Sequence, residues 1–184
     1  MSKVPPKDSP LTIEDWDPAR HDRSGFDCGV ASLNNFLAQT AKKQQQHDMT
    51  KVYVAVTGGE VKILGYHAIN VGIMNAVNLA NKPRGTPTHG EIPVLFLSRV
   101  AVDQQVQGQG IGEILMHHVF EKACLIADEA GCYAVVLDVM SDGGDTAFAK
   151  RKKWYEEFGF HSFSKKPARM FMNMKEIRQL VTQA

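Results

Sequence analysis

Residues 94–102 read VLFLSRVAV, an apolar run broken only by Ser98 and Arg99. A stretch this continuous has no polar face to turn toward water, so it predicts a strand buried on both faces of a sheet. Gln107-Gly108-Gln109-Gly110-Ile111-Gly112 follows closely, then a helix from Ile111 to about Ala130. Its apolar positions, among them Ile111, Leu115, Val119 and Ile126, recur at helical spacing. Tyr133–Met140 is a second buried strand. Strand, helix and strand over this length make a βαβ unit.

The remaining segments extend that unit. Ser32–Gln46 carries Leu33, Phe36, Leu37 and Ala41 at helical spacing, which predicts an amphipathic helix. Val52–Val56 reads as a strand, and Gly58-Gly59 as a tight turn into a second strand, Val61–Ile69, giving a hairpin. Asn78–Pro93, with Pro83, Gly85, Pro87, Gly90 and Pro93, predicts a loop rather than a domain boundary. Downstream come a helix over Thr146–Phe158, a turn at Gly159 and a strand near Arg169–Met174. No repeat or linker divides the chain, so one α/β (α+β) domain over residues 1–184 is expected, built on a single sheet.

Composition narrows the function classes. At 43% hydrophobic and 22% charged, the chain has the apolar content of a globular domain rather than a disordered one. It lacks an apolar run of about 18 residues that would span a membrane. The start, MSKVPPKDSP, lacks a signal peptide's apolar core, which predicts a cytoplasmic protein. Cys28, Cys124 and Cys132 are odd in number and not metal-spaced, so reduced structural thiols and no metal are expected.

Glycines between a buried strand and a helix let backbone N–H groups converge on an anion at the helix N-terminus. A Walker A loop would end Gly-Lys-Ser/Thr, but here Gly112 is followed by Glu113. A dinucleotide fingerprint needs G-x-G-x-x-G, and these glycines fall at 108, 110 and 112. What fits is Q-x-x-G-x-G, with Gln107, Gly110 and Gly112 in place behind Arg99-Val100-Ala101-Val102-Asp103. The segment resembles the pyrophosphate loop of the GNAT family of N-acetyltransferases. The resemblance implies one mixed sheet with splayed central strands flanked by helices, and acetyl-CoA as co-substrate. It also implies cofactor contacts from the backbone of Val100, Ala101 and Val102 and from Gln107, Gly108, Gln109, Gly110, Ile111 and Gly112.

Trp154-Tyr155-Glu156-Glu157-Phe158-Gly159-Phe160 resembles the same family's F-Y-x-x-x-G-F signature, with Trp154 in the first aromatic place. Trp154, Phe158 and Phe160 read as core aromatics. Tyr155, by the resemblance, sits beside the cofactor sulfur, where a phenol can protonate the departing thiolate as general acid. With reference pKa values of about 10 for the phenol and about 8.5 for a thiol, the transfer is uphill by a small margin. The two motifs together cover roughly residues 50–174 with the family's order.

Phe26-Asp27-Cys28-Gly29, Leu33-Asn34, Phe36-Leu37, Val52-Tyr53-Val54, Arg169-Met170-Phe171 and Met174-Lys175 resemble the toxin branch of that family. That branch implies the toxic half of a toxin–antitoxin pair, a ribbon-helix-helix antitoxin as partner, and acetylation of the α-amino group of aminoacyl-tRNA. A homodimer is a further expectation, since relatives dimerise. The chemistry suits such an acceptor. A Lys amine with pKa about 10.4 is neutral in roughly one molecule in 2,500 at pH 7, whereas an α-amino group near 7.7–8.0 is neutral about one time in ten. An adjacent ester lowers that value further, so no strong general base is needed. His117 and His118 show no evident partner in the sequence, and Cys28 reads as structural because the family transfers acetyl directly.

The formal charge of +1 conceals an asymmetry: residues 1–149 carry 12 basic and 17 acidic side chains, and residues 150–184 carry 9 basic and 3 acidic. Lys150, Arg151, Lys152, Lys153 and Arg169 are therefore candidate tRNA-phosphate contacts, and Arg99 either anchors a carboxylate or faces the acceptor. Two other readings stand beside this one: an acetyltransferase for a small amine, peptide or protein N-terminus, and a non-catalytic acetyl-CoA-binding module. Tyr155 speaks against the last. The connection Met140–Asp145 is longer than in many relatives, which bears on the acceptor pocket.

Overall fold

The computed structural model describes residues 10–76, 89–163 and 166–183. Its strands are β1 (Leu11–Asp15), β2 (Lys51–Thr57), β3 (Gly65–Asn75), β4 (Glu91–Val102), β5 (Ala134–Asp138), β6 (His161–Ser162) and β7 (Arg169–Asn173). They form one mixed sheet in the order β1-β2-β3-β4-β5-β7-β6. The helices are α1 (Ala31–Asn35), α2 (Ala41–Gln46), α3 (Ile111–Glu129), α4 (Gly144–Phe158) and α5 (Met174–Gln183). The expected βαβ unit is present: β4 and β5 are parallel, with α3 between them in sequence. Their pairing runs from Val94↔Ala134 to Leu97↔Leu137, and β4 continues for five residues beyond it.

Contacts group the chain into two compact units, Met1–Ile69 with Arg99–His118, and Asn70–Ser98 with Val119–Ala184. In the first, Ala55, Leu64, Val106, Ile111 and Leu115 form a buried cluster against which Val100 and Val102 pack. Gly65 is the close approach in this unit, because a Cβ there would lie 3.0 Å from the Ala101 carbonyl and 3.1 Å from Leu115. In the second, Val94, Ala134, Val136, Phe163 and Phe171 centre another cluster. Phe120 of α3 there meets Phe158 and Phe160 with ring centroids 6.1 Å apart in each case.

Several expected boundaries move. The second hairpin strand begins at Gly65, not Val61, because the backbone of residues 61–63 is taken up by Asp22: its N–H donates to the Val61 carbonyl and its carbonyl accepts from Ile63. The helix expected over Ser32–Gln46 is interrupted by a π turn at Phe36–Thr40, where the ladder slips by one residue. Glu91–Pro93, expected at the end of a loop, opens β4, and Pro93 keeps a partner through its carbonyl, which accepts from Tyr133 N–H. Residues 78–88 of that expected loop lie outside the described residues.

His118 does have a partner that its sequence surroundings did not show. His67 of β3, fully buried, lies 2.8 Å from it (Nε2 to Nδ1), and Tyr53 of β2 stacks on His67 at 4.9 Å. Among the described residues no helix is long and apolar enough to cross a membrane.

Candidate active site

The first unit assembles the candidate cofactor residues. Val100 and Val102 pack half-buried side chains against the core cluster and Ala101 is buried, so none of the three offers an exposed side chain to a ligand. Asp103 ends the strand by accepting the Gln105 N–H at 2.9 Å, which starts a single 3-10 turn over Gln104–Val106. Gln107 then turns its side-chain amide inward. Nε2 donates to the carbonyls of Val102 at 2.9 Å and Cys28 at 3.2 Å, so this glutamine is a strut of the loop.

Gly108 and Gly110 have φ of +75° and +83°, which an L side chain adopts only under strain. Nothing lies within 4 Å of a Cβ built at either position, so the protein's own packing does not explain these glycines. An open, left-handed, glycine-bearing turn leading into α3 is what an approaching pyrophosphate requires. Ile111 is buried in the core cluster and Gly112 lies in the first turn of α3, which leaves their backbone N–H groups as the atoms available to an anion. These residues therefore fit the cofactor's phosphates.

Arg99, also in this unit, is half-buried and stacks its guanidinium over Phe36 at 5.1 Å. Phe36 in turn stacks on Tyr66 at 6.0 Å, whose hydroxyl donates to the Leu33 carbonyl at 2.8 Å. Arg99 thus sits on an aromatic wall formed by the first helical segment and β3.

The second unit carries Tyr155 and the basic stretch. Tyr155 lies on α4, half-buried, with Trp154 at 5.0 Å and Phe160 at 6.0 Å between ring centroids. The glycine of its signature has a physical reason. Gly159 adopts φ +103°, its N–H donates to the Glu156 carbonyl, and the Phe160 N–H donates to the Tyr155 carbonyl. This left-handed cap closes α4 on the backbone of Tyr155. Gly159→Ala should therefore lower stability by about 1–3 kcal/mol, read from the denaturant midpoint with an unchanged slope. Desolvation pushes the Tyr155 phenol well above its ordinary range, and the Arg151 charge opposes that rise.

The basic candidates divide. Arg151 donates to the carbonyls of Met140 (3.0 Å) and Asp142, tying down the long connection after β5. Lys152 pairs with Glu156 one turn on, at 3.7 Å. Arg169 grips Asp138 with both arms of its fork, at 2.7 and 2.6 Å, and lies over Phe96 at 5.6 Å. Lys150 and Lys153 are exposed and, among the described residues, without an ion-pair partner. Among the described residues no group of three or more His, Cys, Asp or Glu side chains could hold a metal ion.

The pattern of the acetyltransferase (GNAT) domain matches residues 48–162, well over half of the chain. The chain belongs to the GNAT acetyltransferase family. It is an acetyl-CoA-dependent N-acetyltransferase, as the residues around the glycine loop imply. This GNAT protein is similar to the probable toxin TacT of Sinorhizobium fredii (strain NBRC 101917 / NGR234), 35% identical over 170 residues, 92% of this chain and 94% of the relative. It is similar also to the tRNA-acetylating toxin of Mycobacterium tuberculosis (strain ATCC 25618 / H37Rv), 25% identical over 173 residues, 94% and 96% of the two chains. Among solved structures, AtaT complexed with acetyl-methionyl-tRNAfMet superposes with a TM-score of 0.81 at 26% identity, covering 93% of this chain and 99% of AtaT. AtaTR bound with AcCoA gives 0.74 at 25% identity, covering 92% and 97%.

The network that holds this loop was missed in the sequence. In the sequence Asp27 and Asn34 are only parts of a family signature, and nothing local to Asp27 reveals that its backbone bonds Asp103 and Gln104.

Proposed function

We propose that this GNAT enzyme is a toxin that moves the acetyl group of acetyl-CoA onto the α-amino group of aminoacyl-tRNA and so blocks translation. The observation that carries the reading is the 35% identity to the probable toxin TacT along nearly the whole of both chains. A solved relative of matching fold holding acetyl-methionyl-tRNA supports it. The thioester supplies the activated acetyl group, and the rest falls to the chain's own residues. The backbone from Val100 to Val102 and from Gly108 to Gly112 binds and orients the co-substrate. The acceptor nitrogen, neutral in a useful fraction at pH 7, bonds to the acetyl carbon as the carbon–sulfur bond breaks. The Tyr155 hydroxyl gives a proton to the sulfur, and the proton released by the amine to solvent is balanced by one that the phenolate takes back from solvent.

The raised phenol is compatible with that role. Desolvation that disfavours a phenolate also disfavours a thiolate beside it, so both groups move in the same direction. On the tRNA side, Arg151, Lys152 and Arg169 are occupied within the chain, so phosphate contacts rest on Lys150 and Lys153. Arg99, on its aromatic wall, is assigned to the acceptor end. We assign the protein a ribbon-helix-helix antitoxin as partner, a homodimeric state and a cytoplasmic location, where charged tRNA is found. Induced expression should halt growth and protein synthesis, and Tyr155→Phe should abolish the arrest. Normal growth with the wild-type chain would overturn the toxin reading and leave an acetyltransferase of another amine.

A further inference from the structure

A loop with two left-handed glycines and open space around them is poorly ordered by itself, because glycine restricts its own backbone least. On its C-terminal side α3 fixes it. On its N-terminal side the chain supplies a bracket drawn from residues 27–34, some 70 residues earlier in sequence.

The Asp27 carbonyl accepts the Gln104 N–H at 2.8 Å, and the Asp27 N–H donates to Asp103 Oδ2 at 3.1 Å. Asp103 is 3% exposed and uses its other oxygen to start the 3-10 turn, so both its oxygens are committed. The neighbouring Cys28 carbonyl accepts from Gln107 Nε2, the last side chain before Gly108. Three hydrogen bonds thus cross from residues 27–28 to the 103–107 segment.

What gives residues 27–28 the shape to make those bonds is one pair of side chains. Asp27 Oδ1 accepts from the Gly29 N–H at 2.8 Å and from Asn34 Nδ2 at 2.7 Å. Asn34 Oδ1 accepts the Cys28 N–H at 2.9 Å. The Asp27–Asn34 pair therefore closes a tight turn between the segment and the first turn of α1. Gly29, at φ +82°, completes it, since a Cβ there would lie 3.2 Å from the Gln104 amide. Neither side chain is placed against the reacting atoms; both act through the backbone of 27–28.

We infer that Asp27 and Asn34 are positioning residues of the acetyl-CoA site: their mutual hydrogen bonds hold the 103–107 segment, and through it the pyrophosphate-binding glycine loop, in its binding conformation. The inference rests on the reading that residues 108–112 hold the pyrophosphate. With the bracket cut, the loop has to be ordered when the co-substrate binds, and that ordering is subtracted from affinity. The chemical step, which occurs after the loop has closed on its ligand, is left nearly as fast.

The test measures the Kd for CoA by calorimetry, with KM for acetyl-CoA, kcat and the melting temperature, in full-length variants. Asp27→Ala is expected to raise both Kd and KM about tenfold, the size of one lost charge-assisted hydrogen-bond pair, with kcat within about twofold. Asp27→Asn, which keeps an Oδ1 acceptor for Gly29 and Asn34, should restore affinity. Asn34→Asp should weaken binding like Asp27→Ala, because it removes the donor and sets a second carboxylate against Asp27; it carries the test if Asp27→Ala does not fold. Wild-type Kd in Asp27→Ala or Asn34→Asp, alongside weakened binding in Gly110→Val, would overturn the inference alone. A fall in kcat and melting temperature at unchanged Kd would do the same, since that marks a merely structural role. Wild-type Kd in Gly110→Val would instead remove the loop reading beneath it.

Discussion

Tyr155→Phe is expected to reduce kcat by about 10²–10⁴-fold, the range associated with loss of a positioned general acid. The substitution removes one oxygen and leaves the ring, so its contacts with Trp154 and Phe160 and the cap at Gly159 persist. The Kd for acetyl-CoA should therefore stay within about twofold, and the melting temperature should hardly move. The pH profile gives an independent reading. An acid must be protonated to act, and Tyr155 is held above the ordinary phenol range by desolvation, with Arg151 pulling the other way. Activity should consequently not decline through the usual phenol range near pH 10 on account of this group. Removing the Arg151 charge lets the phenol rise further. Full turnover by Tyr155→Phe would exclude Tyr155 as the thiolate's proton donor.

Gly110→Val carries the second large effect. At φ +83° a β-branched residue is strained by about 1–3 kcal/mol, and the backbone relieves that strain by leaving the left-handed region. The space around the position is open, so no core contact is broken and the fold should survive. The loss falls on the ligand: the N–H groups turn away from the phosphates, and a branched side chain stands where they would lie. The Kd for acetyl-CoA should rise at least about tenfold, which is about 1.4 kcal/mol. Calorimetry on the folded variant measures it, with Gly108→Val as a companion because φ is +75° there.

The contrast between these two sites and the rest of the molecule shows what a single chain's sequence discloses. The βαβ unit was legible because VLFLSRVAV, the glycines and the α3 stripe are contiguous, and local periodicity fixes each in turn. The end of α4 at Gly159 was legible because a helix end is a local event; the structure added the cap that makes Gly159 necessary. β1 went unread because LTIED alternates over only five residues and becomes a strand by pairing with β2. The start of β3 shifted because Asp22, about 40 residues away, takes the backbone groups of residues 61–63. The partner of His118 lies on β3, 51 residues earlier, and the bracket at Asp27 reaches across 76 residues to Asp103. Such pairs leave no trace in periodicity. For the basic stretch the sequence displays the charges, but the partners of each depend on carbonyls and carboxylates elsewhere. Arg151 and Arg169 bond groups of the chain itself, while Lys150 and Lys153 have no ion-pair partner among the described residues.

The proposed reaction has one product that no alternative acceptor shares. Purified protein is incubated with acetyl-CoA and a pool of aminoacyl-tRNA, and the aminoacyl ends are released and analysed by mass, with Tyr155→Phe in parallel. One acetyl group on the α-amino nitrogen of the esterified amino acid, present with the wild-type chain and strongly reduced with the variant, is the predicted result. Unmodified aminoacyl-tRNA, from a preparation that binds acetyl-CoA and acetylates a small amine or peptide, would contradict it.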